Sequence, residues 1–324
     1  MQAIIYRRYG PPDVLACEEL DKPIPARGEV LIQVRAASVN PYDWHFLRGT
    51  PTFIRLFTGL RKPKSPRLGT DVAGVAAAVG PGVTRFKPGD AVFGACKGAF
   101  AEFACGKEIE LAHKPERLSF DQAAAVPIAG ITALQGLRDC GHVMPGQRVL
   151  INGAAGGVGT FAVQIGKWLG AHLTGVCSTR NVAFVQSLGA DRVIDYTLHD
   201  FTRSDDQYDV IFDLVGNHPL KVIRHVLRSK GTFVGCGGGG PDKPASELLS
   251  GMVGRLVTSP FTSQKLTGVL AKVNAADLNI LGDLLQSGNI QPALDRSYPL
   301  SDVAEALRYV ESCHARGKVT IGVA

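Results

Sequence analysis

No CxxC pair occurs anywhere in this chain of 324 residues. Its seven cysteines, Cys17, Cys96, Cys105, Cys140, Cys177, Cys236 and Cys313, are odd in number and scattered. That argues against a disulfide framework and against a cysteine-based structural zinc site. Buried thiols acting as small hydrophobes are the expectation. No apolar run approaches the roughly 18 residues of a membrane span, and Met1-Gln2-Ala3-Ile4-Ile5-Tyr6-Arg7-Arg8 lacks the apolar stretch of a signal peptide. A soluble cytoplasmic protein without a membrane partner is expected. Compositional disorder is missing too, at 45% hydrophobic and 20% charged residues. No repeat or low-complexity segment stands out except Gly237-Gly238-Gly239-Gly240. Thirty-five basic residues against 29 acidic ones leave a formal charge of +6. The excess reads as spread along the chain, apart from Arg61-Lys62-Pro63-Lys64 with Arg55 and Arg67 nearby. No nucleic-acid motif accompanies that cluster, so a solvated loop and no nucleic-acid partner are expected.

What is present divides in two, as the length suggests. The first third has short β-like runs between Gly/Pro punctuation: Val30–Val34, Val72–Val79 before Gly80-Pro81-Gly82, and Ala91–Phe93 after Lys87-Pro88-Gly89-Asp90. This predicts a compact barrel-like sheet. From about Gln122 the apolar runs Val149–Ile151, His172–Cys177, Arg192–Asp195, Asp209–Asp213 and Thr232–Cys236 alternate with helical patterns at Val158–Leu169, Asn181–Leu188 and Leu220–Leu227. Gly170 and Gly189 are plausible C-caps. Such alternation predicts βαβ units and a parallel sheet. A sixth strand is expected near Val269–Val273, a helix near Ala275–Leu285, and a final strand at Lys318–Ile321 that returns to the first domain.

Between the first parallel strand and its helix lies "NGAAGGVG" (Asn152–Gly159), with Gly153, Gly156 and Gly159 spaced GxxGxxG. A dinucleotide site needs a tight turn there, backbone approach to a pyrophosphate and close helix packing. The helix N-terminus offers free N–H groups to phosphate, so Gly153, Ala155, Gly156, Gly157, Val158 and Gly159 are assigned to the cofactor. A ligand-free tight turn is the bland alternative. The second strand ends Gly175-Val176-Cys177-Ser178-Thr179-Arg180, without the carboxylate that binds an NAD ribose; Asp191 comes after the following helix. Ser178, Thr179 and Arg180 therefore favour the 2′-phosphate of NADP(H), although an N-cap and a surface charge would explain them too.

The chain resembles the medium-chain dehydrogenase/reductase superfamily, specifically its zinc-free quinone-oxidoreductase-like branch. The resemblance rests on "AASVNPYDW" (Ala36–Trp44), "LGTDVAGVAAAVGPGVTRFKPGDAVFG" (Leu68–Gly94), "GITAL" (Gly130–Leu134), "INGAAGGVG" (Ile151–Gly159), "SLGADRVIDY" (Ser187–Tyr196), "YDVIFDLVG" (Tyr208–Gly216) and "GKVTI" (Gly317–Ile321). It implies an α/β protein with a GroES-like β-barrel-type domain, 1–121 plus 289–324. A Rossmann doubly wound parallel sheet, 122–288, completes it, with an active site in the cleft between the two and a homodimeric assembly. Zinc-dependent relatives carry a ligand Cys where this chain has Asn40 and a ligand His where it has Thr70, and their third ligand falls near Pro127. Asp71 keeps an acid where they have Glu. One carboxylate without Cys or His partners does not make a four-coordinate site, so no metal is expected.

Without a Lewis acid the acceptor must need little polarisation, which a quinone or an α,β-unsaturated carbonyl satisfies. The resemblance places Asn40 and Asp43 beside the nicotinamide, with Tyr42 and His45 as neighbours. Asn40 could bond a carbonyl or the ribose, Asp43 could hold its loop, and His45 could donate a proton. Local turn, capping and packing roles remain open for all four. The resemblance also assigns Thr132 to the nicotinamide-side phosphate, Tyr196 to the adenosine end, Val215 and Gly216 to the adenine or ribose, Cys236 and Gly237 to the nicotinamide, and Lys318 to the cofactor. The four glycines after Cys236 are a flap or a loose turn. The insertion Thr50–Arg67 has Phe53, Ile54, Leu56, Phe57 and Leu60 at helical spacing; it is either a lid over the substrate or a helix packed on its own domain. The expected activity is NADPH-dependent, metal-free hydride transfer to a quinone or enone from a small-molecule pool. A metal-free alcohol dehydrogenase/ketone reductase and a non-catalytic NADPH-binding protein remain as alternatives.

Overall fold

The computed structural model describes residues 1–236 and 262–323. Fifteen strands are described: β1 (Gln2–Tyr6), β2 (Leu15–Glu19), β3 (Glu29–Val39), β4 (Asp71–Val79), β5 (Ala91–Ala95), β6 (Phe103–Lys107), β7 (Leu111–His113), β8 (Arg148–Asn152), β9 (His172–Cys177), β10 (Arg192–Asp195), β11 (Tyr208–Asp213), β12 (Leu227–Gly235), β13 (Lys265–Gly268), β14 (Leu294–Pro299) and β15 (Lys318–Gly322). The chain divides into two compact units, Met1–Ile131 with Val273–Ala324, and Thr132–Lys272. The borders suggested by sequence, 121/122 and 288/289, fall elsewhere. The reason is that the helices Phe120–Ala124 and Ala275–Gln286 pack on strands of the first unit, on β3 and β4 and on β7 respectively.

In the first unit β14-β15-β3-β4-β5-β7 form one sheet, with β6 also paired to β3. The pairs are antiparallel except β14 with β15. β3 is the long central strand, and Val30, Ile32, Val34, Ala37 and Val39 are buried in a cluster with Val72, Leu307 and Ile321. β15 does return from the end of the chain, lying between β14 and β3.

The second unit holds a six-stranded parallel sheet in the order β10-β9-β8-β11-β12-β13. The order reverses beside β8, which is the doubly wound signature. Val149, Leu150 and Ile151 are fully buried, as expected of a strand covered on both faces. The sixth strand is β13 rather than Val269–Val273. It runs in register with β12, Thr232 opposite Lys265 through Gly235 opposite Gly268, and ends where β12 ends. The helix expected over Leu220–Leu227 is only Leu220–Ile223, because Leu227 already belongs to β12. Gly170 and Gly189 have φ of +80° and +104°, consistent with C-caps.

The insertion forms a 3-10 turn, Thr52–Ile54, running into a helical turn, Arg55–Thr58. Phe53, Leu56, Phe57 and Leu60 are exposed. The helix is therefore not packed on its own domain through that face.

The turn after β8 has two demands on glycine. Gly153 has φ of +89°, where a side chain is strained. Gly159, in the first turn of the helix Gly157–Trp168, would place a Cβ 2.1 Å from the Gly153 carbonyl oxygen. Gly156 has 3.5 Å to spare from the same oxygen. Gly159→Ala should thus lower unfolding stability by about 1–3 kcal/mol, while Gly156→Ala should leave it within about 0.5 kcal/mol. Urea denaturation of the two variants checks this, and equal losses would contradict it.

Candidate functional site

In the first unit a set of polar side chains is buried around one carboxylate. Asp71, at the start of β4, is fully buried. Its Oδ2 accepts hydrogen bonds from Ser38 Oγ (2.9 Å) and Asn40 Nδ2 (2.9 Å), and Lys318 Nζ lies 3.4 Å away. Its Oδ1 accepts from the Ile128 N–H at 3.0 Å. Sheet register brings these residues together, since Ser38 lies opposite both Asp71 and Thr320. Lys318 also donates to Asn40 Oδ1 (2.6 Å) and the Val39 carbonyl (3.3 Å). Burial pulls its ammonium below the usual lysine range, opposed by Asp71 and Asp43.

This geometry decides what Asn40 can do. Its two N–H donors point at Asp71 (2.9 Å) and the Ser38 carbonyl (3.4 Å), and its carbonyl oxygen receives Lys318. Both amide protons are directed at protein acceptors. The same arrangement bears on zinc. Where the resemblance places metal ligands, this chain has the amide of Asn40, the hydroxyl of Thr70 and the segment near Pro127, and the neighbouring Asp71 carboxylate already faces an ammonium. These residues do not fit a zinc ion. Among the described residues no group of three or more His, Cys, Asp and Glu could hold a metal.

Asp43 and Asn40 open the helix Pro41–Arg48: Asp43 Oδ2 accepts the Asn40 N–H at 2.8 Å and the carboxylate also receives the Gly69 N–H. The side chain thus ties the helix start to the segment before β4. Burial raises its pKa to about 7, with Asp71 adding to the rise and Lys318 opposing it. Tyr42 is half exposed, its ring 4.0 Å from that of Phe46, and burial of its remainder together with Asp43 raises its pKa. His45 stacks on Trp44 at 3.6 Å, and its Nδ1 lies 2.8 Å from the Thr50 carbonyl. A carbonyl only accepts, so Nδ1 carries the proton. Burial lowers the His45 pKa, which leaves Nε2 a bare acceptor.

In the second unit the functional candidates gather at the carboxyl ends of the strands. The first-turn N–H groups of the helix Gly157–Trp168 have no intrahelical partners, and they begin where Gly153 to Gly159 keep the backbone bare. A pyrophosphate fits such a cradle. Beside it, Asp213 Oδ1 accepts from Asn152 Nδ2 (2.9 Å), Val215 N–H (3.1 Å) and Gly216 N–H (2.9 Å). Asn152 also donates to Asn217 Oδ1 at 2.9 Å. The sequence reading missed Asn152, Asp213 and Asn217, although Asn152 and Asp213 end adjacent strands in "VLIN" and "VIFD". Val215 meets the glycine turn, its Cγ2 2.8 Å from where a Gly153 Cβ would stand.

Ser178, Thr179 and Arg180 follow β9, the last two exposed in a 3-10 turn, Thr179–Asn181, whose third residue is buried. Ser178 Oγ accepts from Asn181 Nδ2 at 3.2 Å. Thr179 and Thr197 share a hydroxyl hydrogen bond of 2.8 Å. A carboxylate stands nearby after all: Asp195 lies opposite Cys177 in the register. It accepts from the Thr197 N–H (2.9 Å) and hydroxyl (2.8 Å). Hydrogen bonding by Thr179 and Thr197 holds its pKa below the usual carboxylate range. Tyr196 is exposed at the same corner. Thr132 is buried in the helix Pro127–Gln135. Cys236 follows β12, its N–H bonded to the Asp213 carbonyl (2.8 Å), and burial pushes its thiol up to about 12. Gly237 and the glycines after it lie outside the described residues.

Two outcomes follow from the buried set. Removing the ammonium leaves Asp71 a buried, uncompensated charge, so Lys318→Met should cost about 3–5 kcal/mol of stability. Adding Asp71→Asn should recover part of that loss in chemical denaturation. Asp43 binds a proton in the folded chain between about pH 4, the ordinary aspartate range, and about 7; unfolded, it has released it. Its contribution to stability is therefore present at low pH and lost as pH rises through that window. The stability difference between wild type and Asp43→Asn should change across pH 4–7 and level off above it; a flat difference would contradict the burial effect.

Comparison with known proteins completes the site. The family model described as "Alcohol dehydrogenase GroES-like domain" matches residues 26–116, and that described as "Zinc-binding dehydrogenase" matches residues 188–321. The chain is 32% identical over 336 residues to a chloroplast envelope quinone oxidoreductase homolog of Arabidopsis thaliana, covering 99% of this chain and 98% of that protein. It is 33% identical over 336 residues to an NADPH-dependent alkenal/one oxidoreductase, chloroplastic, of the same plant, covering 99% of this chain and 79% of that one. The solved structure of Escherichia coli quinone oxidoreductase complexed with NADPH matches with a TM-score of 0.83 at 26% identity, covering 99% and 100% of the two chains. The chain belongs to the medium-chain dehydrogenase/reductase superfamily, in its quinone-oxidoreductase-like branch.

Proposed function

We propose that this chain is an NADPH-dependent, metal-free reductase of quinones or α,β-unsaturated carbonyls. The observation that carries the reading is the Lys318 ammonium facing Asp71 and bonded to Asn40, which stands where the resemblance places a ligand cysteine of zinc-dependent relatives. A cation is already built into the chain there, and no group remains to polarise a simple ketone through a metal. The printed activities of the relatives, quinone and alkenal/one reduction, suit an acceptor that needs no such help.

When bound, the nicotinamide supplies the hydride, and the protein binds and orients. Gly153, Ala155, Gly156, Gly157, Val158 and Gly159 take the pyrophosphate through backbone N–H groups. Val215, Gly216 and Cys236 line the neighbouring strand ends, and Thr132 serves the nicotinamide-side phosphate. Asn40 acts by position: held by Lys318 and Asp71, it fixes the turn that presents Tyr42. Asp43 locks the same turn to Gly69. His45 is no proton donor in this state, because its single ring proton is given to Thr50. Of the four residues, Tyr42, whose side chain is half exposed, is the proton source.

Ser178, Thr179, Arg180 and Tyr196 take the 2′-phosphate. Asp195 stands at the same corner with its charged form favoured by Thr179 and Thr197, so Arg180 has to outweigh it. A hydrogen bond to a charged group contributes roughly 1.5–3 kcal/mol, reduced where solvent screens it. Arg180→Ala should therefore weaken NADPH binding about tenfold to a hundredfold and leave NADH nearly untouched. Wild type that binds both cofactors equally, or a substitution that weakens both alike, would remove the assignment.

The activity itself is tested by following NADPH oxidation with a panel of quinones, enals and ketones, with and without chelator. Turnover of quinones or enals that survives chelation is expected. Turnover of ketones alone would point to an alcohol dehydrogenase, and tight NADPH binding without any turnover to a non-catalytic protein.

A further inference from the structure

The segment 44–70 holds six of the chain's 35 basic residues, Arg48, Arg55, Arg61, Lys62, Lys64 and Arg67, and none of its 29 acidic ones. Outside it, basic and acidic residues balance. The whole formal charge of +6 therefore resides in this one stretch rather than being spread along the chain.

The same stretch carries an apolar stripe that turns outward. Phe53 lies in the 3-10 turn and Leu56 and Phe57 in the helical turn Arg55–Thr58, while Leu60 follows Gly59, whose φ of +123° ends the helix. Leu56, Phe57 and Leu60 are 65%, 76% and 68% exposed. An inward-facing stripe would be covered by its own domain; this one projects. The opposite side is anchored. Arg55 donates to the Gly49 carbonyl (3.0 Å) and the Arg48 carbonyl (3.2 Å), and its guanidinium lies over the Tyr9 ring at 4.7 Å. Tyr9 Oη bonds Thr58 Oγ1 (2.8 Å) and the Gly59 carbonyl (2.6 Å), and the Lys64 N–H reaches the Thr58 carbonyl (2.7 Å). Arg61, Lys62 and Lys64 follow directly and are exposed, as is Arg8 next to Tyr9. A fixed apolar ridge thus stands beside a set of ammonium and guanidinium groups.

We infer that this ridge docks on an anionic lipid bilayer, with Leu56, Phe57 and Leu60 entering the headgroup–acyl boundary and Arg61, Lys62 and Lys64 meeting lipid phosphates. Apolar tips flanked by basic residues are what an interfacial element needs. A fluid surface accepts projecting side chains without a matching pocket. A second copy of the chain fits poorly, because a two-fold contact would set the same basic residues against each other. No described helix is long and apolar enough to cross a membrane; the docking is superficial, and it departs from the expectation of no membrane partner. The inference does not depend on the proposed chemistry.

The test is co-sedimentation with vesicles of phosphatidylcholine alone and of phosphatidylcholine with phosphatidylglycerol, read without any turnover. Wild type should bind the mixed vesicles, far less the neutral ones, and less as salt rises. Arg61→Gln/Lys62→Gln/Lys64→Gln should weaken binding about a hundredfold, roughly fivefold per charge. Leu56→Ser/Phe57→Ser should weaken it further while keeping the wild-type melting temperature, and Phe57→Trp should shift its emission to the blue on mixed vesicles. Wild type that fails to sediment, or binding indifferent to both sets of substitutions, overturns the inference. So would a Leu56→Ser/Phe57→Ser variant that binds vesicles unchanged but has an altered KM for a soluble quinone, since the ridge would then cover the substrate. Concentration-dependent self-association abolished by the same substitutions would assign the ridge to a second copy instead.

Discussion

The carboxylate of Asp71 is the constraint around which the first unit is arranged. A fully buried carboxylate is tolerated only with donors on its lone pairs, and here four donors come from three separate stretches: Ser38 and Asn40 at the end of β3, Ile128 in the helix Pro127–Gln135, and Lys318 at the start of β15. Each donor therefore fixes the segment that carries it. The turn that bears Tyr42 and Asp43 begins at Asn40, so its position follows from the same charge. The ammonium that faces this carboxylate is supplied by β15, far along the chain.

The second unit applies the same device at its strand ends. Asp213 binds Asn152 and two backbone N–H groups of the following turn, and Asp195 binds Thr197. These acids are directed inward at protein donors. The N–H groups at the glycine turn and the guanidinium of Arg180 are positive features of this edge. A polyanionic cofactor thus meets an edge whose carboxylates are already engaged.

Much of this architecture can be read in the sequence because its causes are local. Gly153 and Gly159 are required by one backbone angle and one close approach, both within a single turn. The alternation of apolar runs and helical patterns sets the parallel sheet. The Asp71–Lys318 pair is different: its members are 247 residues apart, and nothing in either neighbourhood names the other. Asp195 was likewise hidden, because it reaches the end of β9 through sheet register rather than through the loop that follows that strand. The spacing of Phe53, Leu56, Phe57 and Leu60 reveals that a face exists, but only the anchoring of Arg55 and Thr58 decides which way it turns. The end of β13 was misplaced for a similar reason, since its extent follows its partner β12.

The position of β15 bears on how the protein is made. The strand lies inside its sheet, between β14 and β3, yet it comes after every other described strand in the chain. During synthesis, residues 132–272 emerge complete and can close on their own parallel core while the first unit still lacks its strand and its cation. Until Lys318 leaves the ribosome, Asp71 has no ammonium beside it, and residues 36–39 of β3 lack their partner on one edge. The nascent protein must therefore hold a long non-local pairing in reserve, a feature that slows folding. A chain cut a few residues short would be left with a formed nucleotide-type unit attached to an unfinished barrel.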